Sequence, residues 1–234
     1  MRLLVSVVDA DEARLAVDAG VDIIDVKNPA EGALGAPAPG VLARVREVVP
    51  LERPLSAALG DLPGLPGTAA LAALGAARSG AEYVKVGLSG TPGTDEAVAV
   101  LRAMRDAVDG SATVVAAAYA DAERVAGGPL PPGEVVEAAR RAGVGGCLLD
   151  TAVKDGRGLF EWLTAEALQA LVGEAHAAGV VMALAGSLRL EDLSRVRATG
   201  ADIAGVRTAA CRDGRRTAPL DAGRIARLRA ECER

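Results

Sequence analysis

Three lysines stand out in a chain that otherwise uses arginine as its basic residue. The sequence has 26 basic residues, and only Lys27, Lys85 and Lys154 among them are lysines. Each of the three closes a run of apolar residues of the kind that forms a buried strand. Lysine differs from arginine in that its amine loses its proton readily when it is buried. The three positions therefore indicate chemistry that needs a titratable amine.

The elements that must position these lysines recur along the chain. A Val-, Ile- or Ala-rich run, a turn and an amphipathic helix repeat about every 30 residues, eight times in all. The predicted strands are 3–8, 21–27, 54–59, 83–88, 113–119, 146–153, 180–185 and 202–206. The predicted helices are 11–19, 39–49, 67–78, 94–108, 132–142, 164–178, 190–198 and 221–233. Strands that alternate with helices indicate a parallel sheet.

Eight such units in so short a chain predict an α/β fold, a (β/α)8 TIM barrel that forms a single domain over residues 1–234. The alternative is a doubly wound open sheet, whose glycine-rich phosphate motif would follow the first strand. The residues there, Val8-Asp9-Ala10-Asp11-Glu12, include no glycine. The longer connections all follow strands, and in a barrel the loops that follow strands build the active face. These connections are residues 28–39, 60–67 and 155–163.

The lysines fall on the second, fourth and sixth predicted strands. Inward side chains of alternate barrel strands form one layer, so we expect the three amines to converge. Mutual repulsion and burial would then deprotonate one of them, and a neutral amine attacks an aldehyde or ketone to form a Schiff base. Asp25 and Asp150 would keep the other two lysines protonated as proton donors, without a metal. The alternative is that each lysine simply reaches solvent from a strand end.

A second set of candidates ends the seventh and eighth strands: Gly186, Ser187, Gly205, Arg207 and Thr208. Loops at these positions often bind phosphate in barrels through backbone N–H groups. The glycines could equally form plain turns. Arg207 could bind the phosphate or form a structural ion pair.

Three further residues have more than one interpretation. Tyr119 and Asp121 end the fifth strand and could line the site or cap the next helix. His176 lies within a predicted helix, which favours a surface or packing role.

Composition excludes several classes of function. The net charge of −5 and the absence of a basic segment rich in aromatics argue against a nucleic-acid partner. No apolar run approaches the roughly 18 residues of a membrane span, so no membrane association is expected. Three widely separated cysteines, Cys147, Cys211 and Cys232, have no metal-ligand spacing. We interpret them as free thiols of a cytoplasmic protein, and predict neither a metal nor an organic cofactor.

Several motifs resemble those of a known family. They are Asp-Ile-Ile-Asp-Val-Lys-Asn-Pro (22–29), Glu-Gly-Ala-Leu-Gly-Ala (31–36), Tyr-Val-Lys-Val-Gly-Leu (83–88), Tyr-Ala-Asp-Ala (119–122), Leu-Asp-Thr-Ala-Val-Lys-Asp-Gly (149–156), Leu-Ala-Gly-Ser-Leu (184–188) and Gly-Val-Arg (205–207). On these motifs, which run along nearly the whole chain, the sequence is similar to the (5-formylfuran-3-yl)methyl phosphate synthases, also called 4-(hydroxymethyl)-2-furancarboxaldehyde-phosphate synthases.

The resemblance implies a reaction in which two molecules of glyceraldehyde 3-phosphate condense with loss of one phosphate and two waters. It implies that Lys27 forms the Schiff base and that Lys85 accepts a proton. Asp25, Asp150 and Lys154 would be their acid–base and orienting partners.

For the remainder of the site we expect Asn28 and Tyr119 to contact the substrate, and we expect the chain to form a homo-oligomer. Ala118 and Thr208 depart from the resemblance, because each stands where the family pattern has glycine. Two other functions stay open: another Schiff-base aldolase that acts on a triose or sugar phosphate, and a non-catalytic barrel that binds a phosphorylated metabolite.

Overall fold

The computed structural model describes residues 1–234 and has eight parallel strands that close into a barrel in chain order. The strands are β1 (Arg2–Val7), β2 (Ile23–Val26), β3 (Leu55–Asp61), β4 (Tyr83–Gly87), β5 (Thr113–Tyr119), β6 (Gly146–Asp150), β7 (Val181–Leu184) and β8 (Ile203–Val206). Pairing of β1 with both β2 and β8 completes the closure. The predicted single-domain (β/α)8 barrel is confirmed.

A helix follows each strand and covers the outside of the barrel. The helices are α1 (Ala10–Asp18), α2 (Pro39–Val48), α3 (Pro66–Arg78), α4 (Thr94–Val108), α5 (Val135–Ala142), α6 (Ala165–Ala177), α7 (Leu193–Ala198) and α8 (Ala222–Cys232). The predicted bounds of α4 and β5 are confirmed. Helices α5 and α7 begin three residues later than predicted, because single 3-10 turns precede them. None of the helices has the length and apolar character needed to cross a membrane.

Alternation along the strands divides the apolar residues into two cores. On β1, Leu3, Val5 and Val7 join the larger core between strands and helices, whereas Leu4 points into the barrel. The interior core consists largely of small or β-branched side chains from successive strands, such as Ala58 and Val115. Successive strand residues point to opposite faces, so one register fixes which side chains reach the interior.

A buried ion pair joins the first strand–helix unit to the last strand. Arg207, directly after β8, donates from Nη2 to the Glu12 carboxylate of α1 at 3.2 Å, and its Nη1 also contacts that carboxylate. Arg207 donates further to the carbonyls of Ser6 at 3.0 Å and Arg216 at 3.1 Å. Glu12 in turn accepts the N–H of Val8. This network spans the seam at which the barrel closes.

We expect Glu12→Leu to lower the free energy of unfolding by about 3–5 kcal/mol, because it leaves the Arg207 guanidinium buried without a counter-charge. Combining it with Arg207→Met should recover most of that loss, since no unpaired charge then remains buried at this position. Denaturant titration measures both effects.

Asp11→Asn is the matched control, since it breaks the exposed Asp11–Arg14 pair of the same helix and should change stability little. A double variant no more stable than the single one would contradict the explanation by an unpaired buried charge.

Candidate active site at the carboxyl end of the barrel

The three lysines line one cavity at the carboxyl end of the barrel. Lys27, Lys85 and Lys154 share it with Asp25 and Asp150. The cavity is narrow, about 40 Å³, and continues outward beneath the loops that follow β7 and β8. Lys27 and Lys85 are almost completely buried, as are both aspartates. The structure therefore brings together five polar side chains that the sequence analysis selected.

Lys85 forms an ion pair with the carboxylate of Asp25. Its Nζ lies 2.6 Å from Oδ1 of Asp25, and the Ser6 hydroxyl donates to Oδ2 of the same carboxylate at 2.9 Å. Strand register explains the contact with Ser6, because Ser6 of β1 stands beside Asp25 of β2. Asp25 thus holds Lys85 by charge, and its second oxygen is fixed by the neighbouring strand.

Lys154 is paired in the same way with Asp150. Its Nζ lies 2.6 Å from Oδ1 of Asp150 and donates to the Thr151 hydroxyl at 3.1 Å. Burial alone would raise the pKa of Asp150, but the charges of Lys154 and Lys27 outweigh it and lower that pKa to about 2. The carboxylate is therefore ionised at neutral pH.

The prediction that the sixth strand runs to residue 153 is wrong. Strand β6 ends at Asp150, and Lys154 lies in the loop that follows. The carboxylate of Asp121 accepts the N–H groups of Ala152 at 2.7 Å and Val153 at 2.9 Å. These donors are thereby withdrawn from strand pairing, the chain turns, and Lys154 reaches back toward Asp150. Asp121 neither caps a helix nor lines the cavity.

Lys27 is the lysine that contacts no carboxylate. It follows β2, and its Nζ has a single hydrogen-bond partner, the carbonyl of Ala33, at 3.4 Å. Burial lowers the pKa of Lys27 strongly, Asp150 and Asp25 oppose this from a distance, and Arg216 and Lys85 lower it further, to about 7. At neutral pH a large fraction of this amine is therefore unprotonated and nucleophilic.

The loops after β7 and β8 bring the residues predicted to bind an anion into the cavity wall. Gly186, Ser187, Gly205 and Thr208 all line the cavity. The N–H groups of Gly186, Ser187 and Thr208 donate to no acceptor within the protein. Gly186 has a φ of +104°, and a Cβ there would lie 3.0 Å from the Thr151 methyl group and 3.1 Å from the Thr151 backbone nitrogen. A glycine is thus required for the backbone to turn so close to the end of β6.

The other predicted binding residues have partners within the protein. Arg207 lines the cavity, but its guanidinium is engaged by Glu12 and two carbonyls, which is the ion-pair role left open above. Tyr119 lies outside the cavity lining and donates from its hydroxyl to Asp61 at 3.0 Å. Asn28 also lies outside it, and its side chain accepts the N–H of Ala30 and caps a 3-10 turn. His176 pairs with Asp202 at the protein surface.

Two polar residues of the cavity escaped the sequence analysis. Ser6 is an ordinary strand residue by pattern, and only the register with β2 reveals its contact with Asp25. Arg216 lies between β8 and α8 in a segment without helical or strand periodicity. Its side chain extends into the cavity and donates to the carbonyl of Gly32, in the loop after β2, at 3.2 Å. The irregularity of that segment was the only signal in the sequence.

Comparisons with known proteins identify the family. The model of a family described as 4-HFC-P synthase matches residues 3–229. The (5-formylfuran-3-yl)methyl phosphate synthase of Methanopyrus kandleri is 50% identical over 233 residues, 98% of each chain. The enzyme of the same name from Methanobrevibacter smithii is 46% identical over 238 residues, 100% of this chain and 99% of that one.

Solved structures agree on the fold. 3-Hexulose-6-phosphate synthase superposes with a TM-score of 0.65 at 20% identity, over 99% of both chains. KGPDC from Streptococcus mutans gives a TM-score of 0.63 at 15% identity, over 99% of this chain and 97% of that one. Identities this low support the barrel alone. The match to the family model and the relatives that are 46% and 50% identical show that this chain belongs to the 4-HFC-P synthase family of enzymes.

Proposed function

We propose that this enzyme makes (5-formylfuran-3-yl)methyl phosphate from two molecules of glyceraldehyde 3-phosphate through a Schiff base on Lys27. The observation that carries the proposal is the unequal pairing of the three lysines that line the cavity. Lys85 and Lys154 each lie 2.6 Å from a carboxylate, whereas Lys27 contacts none and has a pKa of about 7. Lys27 therefore combines burial with an amine that is partly neutral at neutral pH.

The chemistry begins with attack of the Lys27 amine on the carbonyl carbon of the first triose phosphate. Loss of water gives the imine, and loss of a proton from the adjacent carbon gives an enamine. That carbon adds to the aldehyde of the second molecule and forms the new carbon–carbon bond. Ring closure, elimination and release of the lysine complete the product. The overall balance is two triose phosphates to one furan phosphate, one inorganic phosphate and two waters.

The paired lysines supply the proton transfers. Lys85 with Asp25 and Lys154 with Asp150 are two ammonium–carboxylate pairs on the wall of the same cavity as Lys27. An ammonium held beside a carboxylate can protonate a leaving hydroxyl or phosphate and recover its proton from the C–H that is lost. We propose that Lys85 accepts a proton next to the Schiff base, the role that the resemblance to the family implies for it.

The phosphate of a bound triose fits the loops after β7 and β8. Gly186, Ser187 and Thr208 line the cavity, and their backbone N–H groups have no acceptor within the protein. Such donors bind anions without the loss of a protein hydrogen bond. Thr208 keeps its backbone donor despite its side chain, so the departure from glycine at this position is compatible with phosphate binding. Arg207 would support this loop through its bond to the Arg216 carbonyl.

We also infer that the reaction takes place in the cytoplasm. All three cysteines are free thiols and are buried. A phosphorylated triose as substrate fits the same compartment, since such sugars are intracellular metabolites.

We expect Lys27→Arg to lower furan formation by at least ~10³-fold, because a guanidinium keeps the charge but cannot form a Schiff base. The measurement is furan absorbance after incubation with glyceraldehyde 3-phosphate. Borohydride reduction followed by peptide mass analysis should show an adduct on Lys27 in the wild type and none in the variant.

Unchanged thermal unfolding of Lys27→Arg is the control for its fold. Full activity of the variant, or a wild-type adduct on Lys85 instead, would refute the role of Lys27. An adduct at Lys27 without furan product would favour the alternative, a different Schiff-base aldolase.

The pH dependence of kcat/KM should report the Lys27 amine. Below a pKa of about 7 the amine is protonated, so kcat/KM should fall about tenfold per pH unit on the acid side. Arg216→Gln removes a charge that lowers this pKa and should move the acid limb to higher pH. Asp150→Asn removes a charge that raises it and should move the limb to lower pH.

Arg215→Gln is the control for the loss of one charge, since Arg215 is exposed and paired with Asp213. Its acid limb should coincide with that of the wild type. A limb that stays in place in all three variants would belong to the substrate phosphate, and the assignment to Lys27 would fail.

A further inference from the structure

A second, wider cavity opens directly outside the lysine cavity. Its volume is about 560 Å³, against about 40 Å³ for the inner one. The two share Lys154, Ser187, Leu188, Thr208 and Arg216, so they form one continuous path from the lysines to solvent. The outer cavity is lined mainly by polar residues of the loops after β6, β7 and β8. None of its residues apart from the shared ones is used by the chemistry described above.

The outer cavity is strongly basic in a protein of net charge −5. Arg189, Arg216 and Arg224 line it together with Lys154, and Glu191 is the one carboxylate among the lining residues. The three arginines form no ion pair. Their hydrogen-bond acceptors are the carbonyls of Gly156 at 3.2 Å for Arg189, Gly32 at 3.2 Å for Arg216 and Ala209 at 3.5 Å for Arg224.

Three uncompensated guanidinium groups around one cavity repel one another. Arg216 is half-buried and lies between the two cavities. Placing a cation there without a partner costs free energy, which a bound anion would return. The planar guanidinium also matches a phosphate in geometry, because it can donate two parallel hydrogen bonds. The outer cavity is therefore a site for an anion with several oxygens.

We propose that the outer cavity binds the phosphate of the second triose phosphate, on Arg189, Arg216 and Arg224. The inference rests on the proposed function, since condensing two triose phosphates brings two multiply charged phosphates together. The inner cavity is too narrow to hold both, and the free N–H groups after β7 and β8 accommodate one. The second molecule then enters with its aldehyde toward Lys27 and its phosphate outward.

Lys154 and Arg216 have a distinct part in this arrangement, because both line the inner and the outer cavity. Positive charges between two phosphates reduce the repulsion between them. Arg189 and Arg224 line the outer cavity alone, so they contact only the second substrate. This difference makes it possible to test the outer site without disturbing Lys27.

The test is the double variant Arg189→Gln/Arg224→Gln, followed by two readouts across a range of glyceraldehyde 3-phosphate concentrations. The first is the borohydride-trapped adduct on Lys27, which reports the first substrate. The second is the rate of furan formation, which needs both. We expect half-saturation of the adduct to stay within about twofold of the wild type. The concentration for half-maximal furan formation should rise at least about tenfold, from loss of charge-assisted hydrogen bonds to phosphate.

Two controls accompany the double variant. Arg215→Gln removes a positive charge from the same mouth outside both cavities, and should change neither readout. Arg189→Lys/Arg224→Lys keeps both charges but loses the planar donors. It should therefore form furan faster than the glutamine double variant and more slowly than the wild type. Thermal unfolding of each variant confirms that the barrel is intact.

Furan formation that saturates as in the wild type would overturn the inference. So would a parallel loss of the adduct, because the outer cavity would then bind the first phosphate. Absence of both adduct and furan from the wild type is a different result, since it would overturn the proposed function on which the inference rests.

Discussion

Burial of amines at the carboxyl end of a closed barrel is the constraint on which the site depends. Every buried charge must be neutralised by a partner or by loss of its proton. Asp25 and Asp150 satisfy Lys85 and Lys154 at 2.6 Å each, and no carboxylate is left to contact Lys27. The three lysines are chemically identical, so the difference in their pairing follows from the positions of the two aspartates.

The barrel fixes those positions through strand register and through a few long-range contacts. Asp25 is held beside Ser6 because β1 and β2 pair in parallel. Asp150 ends β6, and Asp121 turns the chain behind it so that Lys154 folds back. The loop beyond Lys154 is tied down in turn, since Asp155 pairs with Arg124 and Arg157, and both arginines lie against Trp162. An aromatic side chain, rare in this sequence, thereby stabilises the loop that carries a site residue.

Periodicity and residue type were enough to predict the barrel and the lysine cluster. The alternation of strand and helix signals depends on local patterning, and the convergence of residues on even-numbered strands follows from barrel geometry once the fold is assigned. Contacts between distant segments could not be predicted from the sequence. Asp121 lies in the loop after β5, and its carboxylate accepts the N–H groups that would otherwise extend β6. Glu12, near the start of the chain, forms an ion pair with Arg207, near its end. The type of a residue shows which chemistry its side chain can perform. Only the fold determines whether that side chain is already bound to a partner within the protein.

Arg207 and Arg216 illustrate that distinction. Arg207 follows a strand at the expected place for a phosphate ligand, yet Glu12 neutralises it. Arg216 lies in a segment without periodicity, and nothing local marked it, yet its guanidinium extends into the cavity without a counter-charge. The sequence left both interpretations of Arg207 open and did not single out Arg216, because the availability of a charge depends on its neighbours in space.

The balance of charges around Lys27 has a chemical consequence. Burial, Arg216 and Lys85 favour the neutral amine, whereas Asp150 and Asp25 favour the ammonium, and the opposing effects leave the pKa at about 7. A much lower pKa would give an amine that is always free but a poor proton acceptor, and a higher one would leave it protonated and inert. In the proposed mechanism Lys27 attacks a carbonyl and then exchanges protons through several eliminations, and such a group works best when its pKa lies near the working pH. In that mechanism the aspartates would serve the reaction twice, once by holding their own lysines and once by limiting how far burial lowers the pKa of Lys27.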